Sequence, residues 1–258
     1  MMATMARVIG ADAIKYEAMA AEARAYLREN FFGTPDGTLE TTFDGLQTAM
    51  LFALKLGLIE GAAKDRTVAA LRRSIAAEGG TLHTGFLGTA LALETLTENG
   101  LSDLAWDLML NHKFPGWLYS VDQGATTIWE RWDCYVRETG FGQPSWAISF
   151  NHYAYGSVLA WLYKTAAGIA ADPKTPGFRN IIMRPVPDRR IGSVKAAYRS
   201  AAGLVTSHWR YEGEMWIWEF SVPQGATASV TLPGETVATA YGPGSHRVKR
   251  KLNSGIMK

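Results

Sequence analysis

Ten residues, GATTIWERWD (Gly124–Asp133), set two carboxylates and a guanidinium among two tryptophans. Glu130 stands between Trp129 and Trp132, and Trp117 precedes them in FPGWLYS. Sugar rings present flat C–H faces that stack on indoles, while their hydroxyls need polar partners. A carboxylate with Trp walls is therefore chemically suited to a glycoside. Cleaving a glycosidic bond takes two acids, one to protonate the leaving oxygen and one to activate water or attack directly. A Glu lodged between tryptophans would be partly desolvated, which raises a carboxyl pKa toward a useful range. The second candidate is His152, 22 residues downstream of Glu130 in FNHYAYG.

Spacing alone leaves each residue a structural alternative. Trp129 and Trp132 are three residues apart and could share one face of a short helix, with Glu130 and Arg131 solvated opposite. His152 opens an apolar stretch, where a lone His also serves as a hydrogen-bonded structural residue. Trp117 follows Pro-Gly and sits on a loop, in the core or in a pocket wall. Asp122 and Asp133 read as cap or salt-bridge residues. Cys134 is the one cysteine, so no intramolecular disulfide forms, and it reads as a buried small hydrophobe.

These candidates need a scaffold. Helical periodicity runs through DAIKYEAMAAEARAYLRENFF (Asp12–Phe32), with Ile14, Ala18, Ala21 and Ala25 on one face, until GTPDGT breaks it. DGLQTAMLFALKLGLI (Asp44–Ile59) has Asp44 as its N-cap candidate and is almost wholly apolar from Met50 to Leu56. AAKDRTVAALRRSIAAEGG ends in a Gly-Gly stop, LGTALALETLTENG follows, and LSDLAWDLMLNHK has Ser102 as a cap candidate. Helices alternating with short loops read as helical hairpins, in a layered toroid rather than a thin bundle. The segment from Lys113 to Ser149 is Pro-, Gly- and aromatic-rich and reads as a long structured connection. One long helix is expected after it, from Ser149 to Ala170.

ADPKTPG (Ala171–Gly177) marks a boundary, and the period then changes to two. In WIWEFSV, Trp216, Trp218, Phe220 and Val222 face one way, and in ATASVTLP the apolar Ala226, Ala228, Val230 and Leu232 alternate with polar residues. HWRYEGEMWIW reads as two strands joined at Glu212-Gly213. The expectation is α+β with two domains, helical over 1–172 and an antiparallel β-sandwich over 173–258.

Composition narrows the function classes. The chain has 258 residues, 47% hydrophobic and 19% charged, with a net charge of +2. No strong field calls for nucleic acid or an anionic membrane, and the cluster Arg247, Lys249, Arg250, Lys251 reads as a solvated tail. No stretch approaches a membrane span, and no basic-then-apolar leader opens the sequence, so a cytoplasmic protein is expected. Phosphate-binding Gly loops, dinucleotide fingerprints, paired-His metal motifs and nucleophile elbows do not occur.

From about Thr81 onward the sequence resembles the C-terminal part of the bacterial α-L-rhamnosidases, glycoside hydrolase family 78. The stretches that carry the resemblance are HTGFLGTALALETL, FPGWLYSVDQGATTIWERWD, SFNHYAYGSVLAWLYKTAAGI and DPKTPGFRNIIMRPVP, in the family's order. The resemblance implies part of an (α/α)6 toroid, about half its helices, followed by a β-sandwich. It implies inverting hydrolysis of terminal α-L-rhamnosides, with Glu130 as general base, His152 on the sugar, and Trp117, Trp129 and Trp132 lining the pocket. It implies no metal and no organic cofactor. The family's general acid lies in an upstream acidic motif without a counterpart here; Glu40, Asp44 and Glu78 are poor substitutes. A half toroid exposes helix faces, so a second copy or a complementing chain is an expected partner. A non-catalytic glycan-binding protein, an inactive truncated remnant and a different (α/α)6 glycosidase are the alternatives.

Overall fold

The computed structural model describes residues 1–31 and 46–252. The GTPDGT break and the Asp44 cap lie outside the described residues. Helices α1 (Met2–Val8), α2 (Ile14–Phe31), α3 (Gln47–Lys55), α4 (Gly61–Ala77), α5 (Phe86–Glu98) and α6 (Ser102–Met109) form the first part. Ser102, expected as a cap, is the first residue of α6, and its hydroxyl caps nothing. α5 packs against α3 and α6, and α3 against α4. The core gathers residues at helical spacing: Met50 and Leu51 from α3, Leu71 and Ile75 from α4, Ala92, Leu93 and Leu96 from α5. Each buried Leu, Ile or Met among them contributes about 1.5–3 kcal/mol.

α2 behaves differently. Its apolar side chains have little to bury against among the described residues: Ile14 is 72% and Met19 56% exposed. Near its end Leu27 packs on Ala53, Leu58 and Ile59. Arg28 donates to Leu58 O (2.7 Å) and Gly57 O (3.1 Å) and pairs with Glu60.

The long helix expected over Ser149–Ala170 does not form. The chain turns through 3-10 geometry at Ala154–Ser157, makes one α-helical turn, α8 (Val158–Trp161), and widens to a π-turn at Leu162–Ala166. Residues before it are taken up by pairing with the aromatic segment. After it, Gly168 (φ +74) turns the backbone where an added Cβ would lie 2.2 Å from Pro185 N, a conformation and an approach that suit glycine alone.

Two four-stranded sheets follow. One, in the order β10-β7-β6-β5, comprises β5 (Ser193–Ser200), β6 (Gly203–Glu212), β7 (Met215–Val222) and β10 (Gly244–Lys251), all antiparallel. The other, β3-β4-β8-β9, comprises β3 (Ile169–Ala171), β4 (Asn180–Met183), β8 (Thr227–Val230) and β9 (Thr239–Tyr241), with β4 and β8 parallel. Strand β3 thus precedes the Pro-rich stretch. Between the sheets lie Trp209, Trp216, Trp218, Phe220 and Val222 against Ile169, Ile181, Met183, Ala228 and Val230. The expected inward row of β7 is buried as read.

The helical part and the sandwich are tied together. Trp209 Nε1 donates to Ala166 O (2.7 Å), Ser207 Oγ to Ala167 O (2.6 Å) and Trp106 Nε1 to Val186 O (3.1 Å). Ile191 and Val194 pack on both cores. The basic cluster read as a tail is not one: Arg247, Lys249, Arg250 and Lys251 lie on β10, held by its ladder to β7. No helix among the described residues is long and apolar enough to cross a membrane.

Candidate active site

The Lys113–Ser149 segment opens with a short helix, α7 (Trp117–Asp122). Gly124 ends it with φ +85. Gly124 N donates to Val121 O (2.8 Å) and Ala125 N to Ser120 O (3.0 Å), a Schellman closure that needs a left-handed residue. The glycine of the motif therefore aims the next residues back across the aromatic face. A two-residue hairpin, β1 (Tyr135–Val136) with β2 (Gly140–Phe141), follows. Gly142 N donates to Cys134 O (2.9 Å), and an added Cβ at Gly142 would lie 2.5 Å from Asp133 O.

The two sequence motifs are laced side by side. Glu130 N donates to Ser149 O (3.0 Å), and Ser149 N donates to the Glu130 carboxylate at Oε2 (2.8 Å). His152 N donates to Ile128 O (2.8 Å), and Thr127 Oγ1 to Phe150 O. Residues 127–130 and 149–152 thus run as one paired unit, which brings Glu130 and His152 onto neighbouring stretches of backbone. The Glu130 carboxylate keeps one oxygen tied to the amide and leaves the other uncommitted among the described residues.

His152 accepts at Nδ1 from Ala154 N (3.3 Å). Its ring stacks on Tyr153 (4.9 Å between centroids) and faces Phe86 at the start of α5 (6.3 Å). A ring whose Nδ1 accepts a backbone proton carries its own proton on Nε2 when neutral, so Nε2 is the donor it offers.

The tryptophans differ in access. Trp117 is 8% exposed and donates from Nε1 to Tyr155 O (3.0 Å). Trp129 is 7% exposed and packs edge-on against Phe150 and Tyr135. Both are embedded in the wall that carries the motif. Trp132 is half-buried, stacked on Tyr155 (4.0 Å, 24°) and edge-on to Trp117 (5.2 Å). Tyr155, which sequence reasoning passed over, is the slab beneath Trp132. Burial pushes its phenol up to about 12. Its signal was present in the second tyrosine of FNHYAYG. Three further aromatics were missed and stand open on this segment: Phe141, Trp146 and Tyr153, with Trp146 86% and Tyr153 81% exposed.

Arg131 pairs with Asp133 rather than with Glu130, donating from Nε at 2.8 Å. That hydrogen bond, with the guanidinium charge, holds the Asp133 carboxyl below the usual carboxylate range. Asp122 meets His112 Nδ1 at 2.6 Å. Both aspartates are pairing residues, as read from sequence. Cys134, the residue after the motif, is fully buried, accepting from Arg131 N (3.4 Å) and donating to Ser149 O (3.6 Å), a structural thiol. Among the described residues no three of His, Cys, Asp and Glu converge as a metal site.

Comparison with known proteins places this arrangement. Residues 1–166 match the bacterial α-L-rhamnosidase six-hairpin glycosidase domain, and residues 168–247 match the bacterial α-L-rhamnosidase C-terminal domain. The chain belongs to the bacterial α-L-rhamnosidase family. Curated relatives include an α-L-rhamnosidase of Streptomyces avermitilis, 36% identical over 90% of this chain and 22% of its own length. Another, from Formosa agariphila, is 39% identical over 72% of this chain and 20% of its own. The crystal structure of the Streptomyces avermitilis α-L-rhamnosidase complexed with L-rhamnose superposes with a TM-score of 0.88 at 33% identity, covering 96% of this chain and 25% of that one. The chain thus spans a fifth to a quarter of the length of these α-L-rhamnosidases.

Proposed function

We infer that this chain carries the water-activating part of an α-L-rhamnoside hydrolase site. Glu130 acts as the general base of an inverting hydrolysis, taking a proton from the attacking water through its free carboxylate oxygen. His152 donates from Nε2 to a sugar hydroxyl, and Trp132, with Trp117 and Trp129 behind it, walls the pocket. The observation that carries the reading is the lacing of residues 127–130 to 149–152. It sets the carboxylate and the imidazole on adjacent strands of backbone, in a family whose Streptomyces avermitilis member was crystallised with L-rhamnose.

Inversion requires a second, protonated carboxyl about 6.5–9.5 Å from the base. Asp133 does not meet this need, because Arg131 keeps it ionised at neutral pH. The leaving-group proton comes from a carboxyl outside the motif, on a surface that completes the toroid. The exposed apolar side chains of α1 and α2, including Met5, Ile9, Ile14 and Met19, offer such a surface its seat. A further helical surface, from the same polypeptide, a second copy or a complementing chain, would fill it.

The test is hydrolysis of an aryl α-L-rhamnoside by the chain and by Glu130→Gln. Turnover abolished by Glu130→Gln supports the base assignment, and turnover unchanged by it removes that assignment. The engaged state of Asp133 also favours a second reading, a site that holds rhamnose without cleaving it. Calorimetry with L-rhamnose showing binding without turnover selects that reading.

A further inference from the structure

The outer face of the β10-β7-β6-β5 sheet holds a trough remote in sequence from both active-site motifs. Its cavity is about 710 Å³, within the usual range of ligand pockets, ~300–1,000 Å³. Strand register fixes its design. One row across the four strands reads Lys195, His208, Glu219, Arg247, and the next reads Ala197, Thr206, Ser221, Ser245. The second row is a floor of small side chains, three of them hydroxylic, with Thr206 Oγ1 and Ser221 Oγ 2.7 Å apart. The first is a charged wall, with Lys195 and Arg247 exposed at its two ends.

The charge on this face is one-sided. Lys195, Arg199, Arg210, Arg247, Lys249 and Lys251 share it with Glu212, Glu219 and the turn residue Glu214. Six cations against three carboxylates exceed the net +2 of the whole chain. Glu219 is neutralised by Arg210 (3.0 Å) and Arg247 (3.5 Å), and Glu214 by Lys251 (3.4 Å). Lys195, Arg199 and Lys249 have no carboxylate partner among the described residues, so their charge is free for a ligand. Six cations on one sheet face are not the default for a surface, where mixed signs are the norm.

We propose that this trough binds a short acidic oligosaccharide whose rings carry carboxylates. Its hydroxylic floor supplies donors and acceptors for ring hydroxyls; Lys195 takes a carboxylate at one end, and Arg247, whose Nε reaches Glu219 only at 3.5 Å, offers its terminal N–H groups to another at the opposite end. Three strand spacings, about 14 Å, separate the two ends. Of Phe, Tyr and Trp the lining holds Phe220 alone, and it is 2% exposed and faces the core. A neutral sugar or a single-stranded nucleic acid would want a stacking platform, whereas a uronate-bearing chain is met by charge and hydroxyls. The proposal does not depend on the activity inferred for Glu130.

The test is calorimetric titration of the whole chain with a galacturonic acid tetramer and with the same tetramer fully methyl-esterified. The acidic tetramer binds, and esterification weakens it by about tenfold or more, the size of one to two lost charge-assisted contacts. The double variant Lys195→Ala/Arg247→Ala weakens it similarly. Ser245→Trp, which fills the trough from the edge strand without changing charge, abolishes it. Thermal unfolding of each variant confirms the fold, and Glu130→Gln binds like the parent. The proposal is overturned by no binding of the acidic tetramer, equal binding of the ester, binding unchanged in either trough variant, or loss of binding in Glu130→Gln. Equal affinity for a tetranucleotide also overturns it, by showing unspecific charge attraction.

Discussion

Replacing Glu130 two ways separates what its carboxylate does for the fold from what it does for chemistry. Oε2 accepts the Ser149 amide proton at 2.8 Å, and the Glu130 amide donates back to Ser149 O at 3.0 Å. Glu130→Gln keeps an acceptor of the same length, so the Ser149 N–H stays paired and only the charge assistance is lost. Glu130→Ala removes the acceptor and frees the Ser149 N–H to seek water. A hydrogen bond to a charged group contributes about 1.5–3 kcal/mol when buried, and the half-buried position reduces that to about 1–2 kcal/mol for the Ala change. The Gln change costs about half as much or less. In a chain of this size each kcal/mol moves the unfolding midpoint by about 2–4 °C. Glu130→Ala is therefore expected to unfold about 2–8 °C below the parent, and Glu130→Gln within about 4 °C of it. Differential scanning calorimetry at neutral pH reads both. Equal loss in the two variants, or none in Glu130→Ala, would refute the claim that this carboxylate is positioned by the Ser149 amide. An inactive but stable Glu130→Gln would then be attributable to chemistry alone.

The junction between helices and sandwich gives a second prediction. Ser207→Ala orphans the Trp218 indole N–H (2.9 Å) and the Ala167 carbonyl (2.6 Å) together, both buried, at a cost of about 2–4 kcal/mol; a denaturation midpoint unchanged from the parent would contradict it. Gly168→Ala needs a left-handed φ and puts its Cβ 2.2 Å from Pro185 N, so a loss above about 3 kcal/mol is expected, read as loss of soluble folded protein. At high pH the buried phenols matter. Tyr155 and Tyr211 are each pushed up to about 12 by burial, whereas unfolded tyrosine ionises near ~10. Their contribution is complete below the unfolded pKa and is lost as pH rises through the folded one, so stability falls between about pH 10 and 12. Chemical denaturation across that window, followed with tyrosinate absorbance, checks it; flat stability there would be the contrary result.

Much of the architecture was legible because it depends on local period. Leu71 and Ile75, four apart in α4, and Trp216, Trp218 and Phe220, two apart in β7, point inward because the backbone geometry of helix and strand leaves them no other common side. The turn at Glu212-Gly213 was legible for the same reason. Composition and spacing alone, however, left Glu130 ambiguous between a solvated helix face and an aromatic pocket. The resemblance of GATTIWERWD and FNHYAYG to a known family supplied a role, and tertiary pairing supplied the geometry: the Ser149 amide, 19 residues away, holds the carboxylate.

Where local propensity and long-range pairing compete, only the folded chain decides. SFNHYAYGSVLAWLYKTAAGIA reads as one helix, most strongly over its Val158–Ala167 part. Yet its first residues pair with Ile128 and Glu130, and Gly168 must turn beneath Pro185, so helix survives only between those two constraints. Arg247, Lys249, Arg250 and Lys251 looked like a solvated tail because charge runs carry no periodic apolar signal. Their alternation becomes meaningful once β10 is registered against β7, which turns Arg247, Lys249 and Lys251 onto one face beside Lys195 and Arg210. Sequence by itself determined α3 to α6, the strands β6 to β8 and the two motifs, since their periods and residue types are local. Tertiary structure alone decided which carboxylate oxygen stays free, which tryptophan stays reachable and which sheet face is basic. Those depend on partners far away along the chain, and no local pattern encodes them.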